Sequence, residues 1–345
     1  MTKAVDPRGH RAASPAQMPW VAWKDIGART YKRTWDDNVA LVSAGVAFYG
    51  FFALLSLLGL IVITYGFVAE PKTVIDHMGT LTAVLPTDVA VLIGDQLLRA
   101  VDASKGTKGL ALLLAIAVAL YGGANGATAV MTALNIAYEE KEKRSLVRFY
   151  LLALGMTATA LVVALVALAA TAVIAFLQNL FPLASRPVLI AGKILGYVLL
   201  LVIAVVISGT LYRFGPSRED AKWRWISPGS VFVAFAWLIL TTAFGFYVTH
   251  FTHYQASYGS LGAVVALLTW MYLSAYAFVF GAELNSEIEH QTAIDSTTGS
   301  PRPLGHRGAW AADNVATDDT VQDRPEEARE GEKLTGASPN VADES

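Results

Sequence analysis

Residues 39–68 read VALVSAGVAFYGFFALLSLLGLIVITYGFV, a run that contains no charged side chain. A helix needs about 20 apolar residues to cross a hydrocarbon core of about 30 Å. The run therefore predicts a membrane-spanning helix. It is longer than a bilayer requires, so we expect the helix to tilt or to continue beyond the membrane surface.

Five further stretches are comparably apolar: residues 109–138, 149–177, 188–212, 231–248 and 261–282. The stretch 231–248 is the shortest, and Pro228 favours an earlier start because proline suits the first turn of a helix. Hydrophobic residues make up 54% of the chain and charged residues only 16%, against about 25% charged in soluble proteins. We therefore predict an all-α integral membrane protein, a bundle of six transmembrane helices occupying residues 38–286.

Basic residues mark the cytoplasmic side of a membrane protein, and here they are unevenly distributed among the connections. The segment before span one contains Lys3, Arg8, Arg11, Lys24, Arg29, Lys32 and Arg33. The connection between spans two and three contains Lys141, Lys143, Arg144 and Arg148, and the connection between spans four and five contains Arg213, Arg218, Lys222 and Arg224. The connection after span three has only Arg186, and the connection after span five has none. Both termini are therefore predicted to be cytoplasmic.

The segment 18–37 is predicted to form an amphipathic helix at the membrane interface. Its aromatic residues Trp20, Trp23, Tyr31 and Trp35 recur at helical spacing, and cations occupy other faces. Tryptophans suit the headgroup region and cations suit an anionic leaflet, so membrane lipids are the expected partner. Binding of RNA by this basic segment is the minor alternative, and no nucleic-acid partner is expected.

Residues 1–17 and 287–345 are predicted to be disordered. The second of these segments is rich in Ser, Thr, Pro, Gly, Asp and Glu and has only isolated large apolar residues such as Trp310. Such a composition buries too little surface to offset the entropy lost on ordering. Both segments are therefore excluded from the predicted fold.

Catalytic, cofactor and metal sites are not predicted. The chain has no cysteine, which excludes thiolate metal sites and cysteine nucleophiles. His250 and His253 have helical spacing, but no nearby carboxylate completes a metal site, so an aromatic belt at the membrane surface is the expected role of this region. No phosphate-binding Walker A loop occurs, which argues against ATP-driven transport by this chain alone.

A series of motifs spreads from span four to the end of span six. It comprises Leu211-Tyr212-Arg213-Phe214-Gly215-Pro216, Trp223, Trp225, Ser227-Pro228-Gly229, Trp237, Phe246-Tyr247-Val248, Tyr254, Tyr258-Gly259-Ser260-Leu261-Gly262, Trp270, Tyr272-Leu273 and Gly281-Ala282-Glu283-Leu284-Asn285. Earlier in the chain are Ala47-Phe48-Tyr49 and Ala133-Leu134-Asn135-Ile136-Ala137-Tyr138. Together they resemble the BrkB/YihY family of bacterial inner-membrane proteins, historically labelled ribonuclease BN-like, over residues 37–287.

The resemblance implies a multi-pass protein of the bacterial inner membrane, in a virulence-factor family for which transport and envelope resistance are the usual proposals. One departure concerns span one, where family members usually carry a Ser and then a Pro. This chain has Ala53 and Ser56 there. A family mechanism that depends on a proline bend in span one is therefore in doubt for this protein.

Polar residues within or at the ends of spans are the candidate functional positions, because polar groups in a bilayer need polar partners. Asn125 lies beside Gly122, Gly123 and Gly126. Either Gly122 and Gly126 allow close helix packing with Asn125 bonded to a neighbour, or the glycines unwind span two and expose its carbonyls to a substrate.

Asp37, Arg213 and Glu283 fall at cytoplasmic span ends, and we expect them to form a charge network that acts as a helix clamp or a gate. The other candidate positions are Asn135 and Asn285 in the family motifs, and Tyr254 and Tyr258, expected to line an outer opening.

Transport or export of a lipid or small solute is the leading functional hypothesis. A structural or accessory protein, assembling with partners or as a homo-oligomer through small-residue helix faces, is the second. Ribonuclease activity is the third, because the cytoplasmic loops offer only short basic patches and no acid/base or metal cluster.

Overall fold

The structure, a computed structural model, describes residues 8–68, 108–160, 186–250 and 260–316. The helices in these ranges are α1 (Trp20–Asp36), α2 (Val39–Val68), α3 (Lys108–Ala137), α4 (Leu146–Ala160), α5 (Arg186–Phe214), α6 (Trp223–His250), α7 (Ser260–His290) and the single turn α8 (Trp310–Asp313). A 3-10 turn, Pro15–Gln17, precedes α1. The described chain is thus all-helical apart from an isolated bridge between Ala221 and Thr297.

Five of the described helices, α2, α3, α5, α6 and α7, are long and apolar enough to cross a membrane. The structure describes α4 only as far as Ala160, so the remainder of the third predicted span lies outside the described residues. The earlier start of the fifth span is confirmed, since α6 begins at Trp223. Pro228 lies in the second turn of α6 rather than the first, and there it removes a backbone donor from the helix.

The starts of α2 and α6 and the ends of α3, α5 and α7 meet at one end of the bundle, here called the polar end. One buried cluster joins these helices there: Val39, Ala133, Leu134, Ala137, Tyr138, Tyr212, Ala221, Ile226, Val279 and Ala282. The ring of Tyr212 stacks on Phe278 at 4.9 Å, and its hydroxyl donates to the Phe278 carbonyl at 2.6 Å. The best-packed core of the described chain therefore lies near the polar end.

Glycines let α2 and α3 approach closely. A Cβ at Gly122 would lie 2.3 Å from Ser56 Oγ, and one at Gly126 would lie 3.2 Å from Ala53 Cβ. This confirms the predicted packing role of the pair Gly122 and Gly126. The helix α2 runs through Ala53 and Ser56 without interruption.

The predicted helix before the first span is present as α1, and Asn38, with a φ of 50°, makes the turn into α2. Asparagine tolerates this left-handed conformation better than most residues. One face of α1 packs with Trp225 of α6 and Ile288 of α7 through Ala22 and Ile26. The aromatic residues split between faces: Trp23 packs on this cluster, whereas Trp20, Tyr31 and Trp35 are exposed.

The prediction of disorder at the N-terminus is wrong for residues 8–17. Ala12 is buried in the α1 cluster, and the His10 carbonyl accepts a hydrogen bond from Ala293 N–H at 2.8 Å. Residues 1–7 lie outside the described range. The segment is ordered because it finds a partner in the other end of the chain, which its own composition does not reveal.

The predicted disorder from residue 287 is also wrong as far as residue 316. The helix α7 continues to His290, and the following segment folds over the polar end. Arg307 binds this segment together by donating to the carbonyls of Arg302, Ala312 and Ala293 at 3.2, 2.6 and 2.7 Å. Charge-assisted hydrogen bonds therefore stabilise this segment although its large apolar residues are few. Residues 317–345 lie outside the described range.

Candidate functional site

A groove of about 350 Å³ runs between α2 and α3. Its lining residues are Val42, Gly45, Val46, Tyr49, Asn125, Thr128, Ala129, Thr132, Ala133 and Ile136. From Ile136 to Asn125 it extends about 16 Å along α3, at about 1.5 Å per residue. That length is about half of a hydrocarbon core of about 30 Å. Tyr49 and Thr132 are exposed, so the groove opens on the side of the described bundle.

Three polar side chains, Asn125, Thr128 and Thr132, follow one stripe of α3 inside this groove. The two threonine hydroxyls donate to carbonyls of their own helix, Thr128 to Asn125 at 2.9 Å and Thr132 to Thr128 at 2.8 Å. Within the described part of the chain, the hydrogen bonds at Asn125 involve only its backbone. Its half-buried side-chain amide is therefore available to a molecule in the groove.

The structure decides between the two interpretations of the span-two glycines. The helix α3 is continuous from Lys108 to Ala137, so the glycines do not unwind it and the discontinuous-helix hypothesis is wrong. The packing hypothesis is correct for Gly122 and Gly126. Among the described residues, the side chain of Asn125 bonds to no neighbour, so its expected bond stays a prediction.

At the polar end, Arg33 and Glu287 form the centre of a buried charge network. Glu287 accepts hydrogen bonds from Arg29 at 2.6 Å and from Arg33 at 3.2 Å, and lies 3.2 Å from the ring of His290. Arg33 also pairs with Glu139 and sits 4.9 Å above the ring of Trp310. The network thus joins α1, the connection after α3, α7 and α8.

Two of the three span-end charges that were predicted to meet do so. Glu283 is 1% exposed and its carboxyl group is in side-chain contact with that of Asp37. Arg213 takes no part in this contact. Its guanidinium donates to the Ala221 carbonyl at 2.9 Å and lies 3.8 Å from Asp220, between the rings of Phe214 and Trp223.

The prediction that Arg213 joins Asp37 and Glu283 in one network is therefore wrong. Arg213 lies in the last turn of α5 and binds the connection between α5 and α6, so it stabilises that helix pair. The sequence predicted that the three charged residues lie at the same depth in the membrane. It did not show on which side of the bundle each of them lies.

The two candidate asparagines of the family motifs fasten the polar ends of the spans. Asn285 accepts from Gly229 N–H at 2.7 Å and donates to the Ile226 carbonyl at 3.0 Å, on both sides of the proline in α6. Asn135 accepts from Ser217 N–H at 2.7 Å and donates to Glu142 at 2.9 Å. Asn285 thus binds two backbone groups beside Pro228, and Asn135 links the connection after α3 to the connection after α5.

The same hydrogen bonds act on Glu142, which lies in the connection between α3 and α4. Burial opposes ionisation of this carboxyl group, but hydrogen bonds from Arg144, Asn135 and Ser217 outweigh it and lower the pKa of Glu142 to about 2. Glu142 is therefore a fixed anion that anchors the connection, not a group that exchanges protons near neutral pH.

Sequence reasoning missed a second buried ion pair, between Arg218 and Glu289. Their side chains are 1% and 0% exposed and the pair is 2.6 Å apart. One signal in the sequence could have indicated that the last helix continues past its predicted end. Glu283, Glu287 and His290 follow that end at helical spacing. Tyr254 and Tyr258 lie outside the described residues, as does His253, so the predicted outer opening stays a prediction.

A metal centre is not apparent in the ranges that the structure describes, since no group of three His, Cys, Asp or Glu side chains there is arranged to hold an ion. Two features of the described residues could bind a molecule or an ion. One is the groove, which offers the amide of Asn125 among apolar side chains, and the other is the acid pair Asp37 and Glu283. The rest of the polar end binds helices to one another.

Comparison with known proteins places the chain in a family. The sequence profile of the family described as "Virulence factor BrkB" matches residues 30–304. A Bacillus subtilis protein named "Putative ribonuclease-like protein YfkH" is 29% identical over 240 residues, which cover 68% of this chain and 86% of that protein. No solved structure matches the chain.

Shorter matches connect the chain to UPF0761 membrane proteins. One from Idiomarina loihiensis is 34% identical over 79 residues, covering 23% of this chain and 28% of that protein. One from Nitrosospira multiformis is 33% identical over 88 residues, covering 26% and 20%. The profile match covers most of the chain, and five described helices suit a membrane; the chain therefore belongs to the BrkB family and is a multi-pass membrane protein.

Proposed function

We propose that this protein transports an amphiphile, either a lipid or a small solute with an apolar part, along the groove between α2 and α3. One observation carries the proposal: the side-chain amide of Asn125 lies in a mostly apolar groove and bonds to no described neighbour. An unpaired polar group in a hydrocarbon environment is costly. A passing polar headgroup would supply its missing partner.

The shape of the groove favours a substrate that enters from the bilayer. The groove opens sideways and its length along α3 matches about one leaflet. Apolar residues such as Val42, Val46 and Ile136 suit a hydrocarbon chain, while Asn125, Thr128 and Thr132 offer a polar stripe to a headgroup. The stripe would lower the energy of moving a polar group through the membrane interior.

The proposal includes a six-span topology in the bacterial inner membrane with both termini in the cytoplasm, which makes the polar end the cytoplasmic end. It is supported by the basic residues of the connections, which concentrate at this end. The groove then begins near the inner surface and would receive its substrate from the inner leaflet.

Replacing Asn125 with leucine is expected to lower transport about tenfold, because loss of one hydrogen bond of about 1–1.5 kcal/mol slows the limiting step by that factor. The measurement is flux of fluorescent phospholipids and of small amphiphilic solutes in proteoliposomes of the purified protein. Thr132→Val, in the groove, should reduce flux less, because its hydroxyl already bonds to the helix backbone.

The matched control is Thr210→Val on α5, where the hydroxyl bonds to the Val206 carbonyl at 2.7 Å outside the groove. It should transport like the unchanged protein. Absence of flux for every lipid and solute tested would refute the transport proposal, and unchanged flux in Asn125→Leu would show that the groove is not the route.

A structural or accessory role is the second candidate, and one observation favours it. Gly192 and Gly196 are four residues apart on α5, and a Cβ at either would meet nothing within 4 Å. This spacing is typical of faces through which spanning helices associate. Replacing both with isoleucine should abolish a homo-oligomer, measured by subunit counting in lipid bilayers, if assembly is the function.

The helix α1 is proposed to lie on lipid headgroups through its exposed face. Trp20, Tyr31 and Trp35 are exposed on this face, and Lys24 lies beside them. Because the chain has no cysteine, a spin label on Tyr31→Cys reports one position. We expect a label at this position to be accessible to a lipid-soluble relaxation agent. A label on Asp36→Cys should be accessible to a water-soluble one. Equal water accessibility at both positions would contradict the interfacial placement.

A further inference from the structure

The acid pair at the polar end has a feature that a helix clamp does not explain. Glu283 is 1% exposed, and its Oε1 atom has no hydrogen-bond partner within the described part of the chain. Its carboxyl group is nevertheless in side-chain contact with that of Asp37. Two ionised carboxylates are both acceptors and cannot bond to each other, so such a contact requires a proton between them.

The charges around this pair do not balance. The titratable and charged groups around this pair are Arg29 and Arg33 from α1, Tyr138 and Glu139 from the connection after α3, and Glu287 and His290 from α7. With Asp37 and Glu283, four carboxyl groups face two guanidinium groups, and counting His290 as a third cation would still leave the acids in excess.

Both arginines bind carboxylates other than that of Glu283. Arg29 binds Glu287 at 2.6 Å. Arg33 binds Glu287 at 3.2 Å, pairs with Glu139 and lies 3.7 Å from Asp37. Among the described residues, no cation lies within salt-bridge distance of Glu283. A buried carboxylate without a paired cation is strongly unfavourable, and such groups normally take up a proton instead.

We propose that Glu283 and Asp37 form a proton-binding site that holds one proton between their carboxyl groups at neutral pH. The proton comes from water at the polar end, and its uptake converts one carboxylate to a carboxylic acid with no other change of bonding. Its release would leave two like charges facing each other between the start of α2 and the end of α7.

The position of the site indicates a use for the proton. Asp37 lies two residues before the start of α2, whose residues from Val42 onward line the groove. Glu283 belongs to α7, which packs on α2 where Met271 meets Gly50. Repulsion after proton release would separate α2 from α7 and alter the groove. This coupling rests on the proposed transport function, whereas the proton site itself does not.

Infrared spectroscopy of the purified full-length protein in lipid nanodiscs at pH 7 tests the site directly. We expect the carbonyl stretching band of a protonated carboxylic acid, shifted by transfer to heavy water, and lost in both Glu283→Gln and Asp37→Asn. Glu219→Gln is the control, since that side chain is 49% exposed, and it should leave the band unchanged.

Carbon-13 labelling of glutamate in the unchanged protein requires no variant, so it keeps the test valid if a substitution impairs folding. The label should shift all or part of the band. Absence of a protonated-carboxyl band in the unchanged protein, or a band that both substitutions leave intact, would overturn the proposal. A missing band together with stabilisation by sodium ions alone would overturn it in favour of a bound cation.

The infrared result and the flux result are independent. A protein that shows the band but transports nothing has the proton site without the proposed function. A protein that transports but lacks the band retains the groove and loses this inference.

Discussion

Replacing Arg218 with alanine is expected to lower the free energy of unfolding by about 3–5 kcal/mol, since it leaves a buried carboxylate without its partner. The partner is Glu289, at 2.6 Å and 0% exposed, which also accepts from Ser296 Oγ at 2.7 Å. Burial favours the neutral form of Arg218, but Glu289 outweighs it and raises the pKa of Arg218. The guanidinium therefore stays charged, and its loss exposes the full cost of the buried anion.

The measurement is reversible unfolding in bicelles, with Arg302→Ala as the control. Arg302 and Glu219 form an ion pair at 3.4 Å that is about half exposed, so this control should cost less than about 1 kcal/mol. Replacing Arg218 and Glu289 together by methionine and leucine should cost less than Arg218→Ala alone. Equal losses for Arg218→Ala and Arg302→Ala would show that the buried pair contributes little.

Replacing Gly229 with alanine is expected to disrupt the contact between α6 and α7. The added Cβ would lie 2.2 Å from the Gly281 carbonyl oxygen and 2.6 Å from the Asn285 amide. A backbone oxygen cannot rotate away as a side chain can, so the helices must separate. Overpacking of this kind costs about 1–3 kcal/mol or more. Loss of the bond from Gly229 N–H to Asn285 would add about 1–3 kcal/mol.

Gly245→Ala provides a control on the same helix, because a Cβ there would meet nothing within 4 Å. Alanine favours a helix over glycine by about 1 kcal/mol, so this variant should be unchanged or slightly stabilised. Unfolding in bicelles separates the two variants. A Gly229→Ala protein as stable as Gly245→Ala would mean that α6 and α7 approach less closely than their carbonyl contact indicates.

The sequence predicted the helices of the membrane domain well because the length and apolarity of a span are local properties. The run without charges at 39–68 coincides with α2, and the start of α6 lies upstream of 231 as Pro228 indicated. The glycine pair in span two was correctly assigned to packing, since small residues at that spacing have few other uses in a helix.

The sequence failed where order depends on partners far away in the chain. Trp310 looked like an isolated aromatic residue in a polar tail, yet its backbone N–H donates to Glu140 at 2.6 Å and its ring lies between Arg33 and His290. Composition measures how much apolar surface a segment can bury. It does not measure how many charged hydrogen bonds that segment can make with other segments.

The candidate site divides in the same way. The sequence by itself determined that the chain is an all-helical membrane protein of one family. It also determined that Asp37, Asn125 and Glu283 are polar groups within or at the ends of spans, where polar groups need partners. Hydropathy, motif order and spacing are properties of the chain alone. Only the tertiary structure decided that Asn125 faces a groove, that Glu283 meets Asp37, and that Arg213 binds elsewhere. The physical reason is that helix periodicity sets the depth and face of each residue, whereas the neighbours it meets depend on how the helices pack around the bundle.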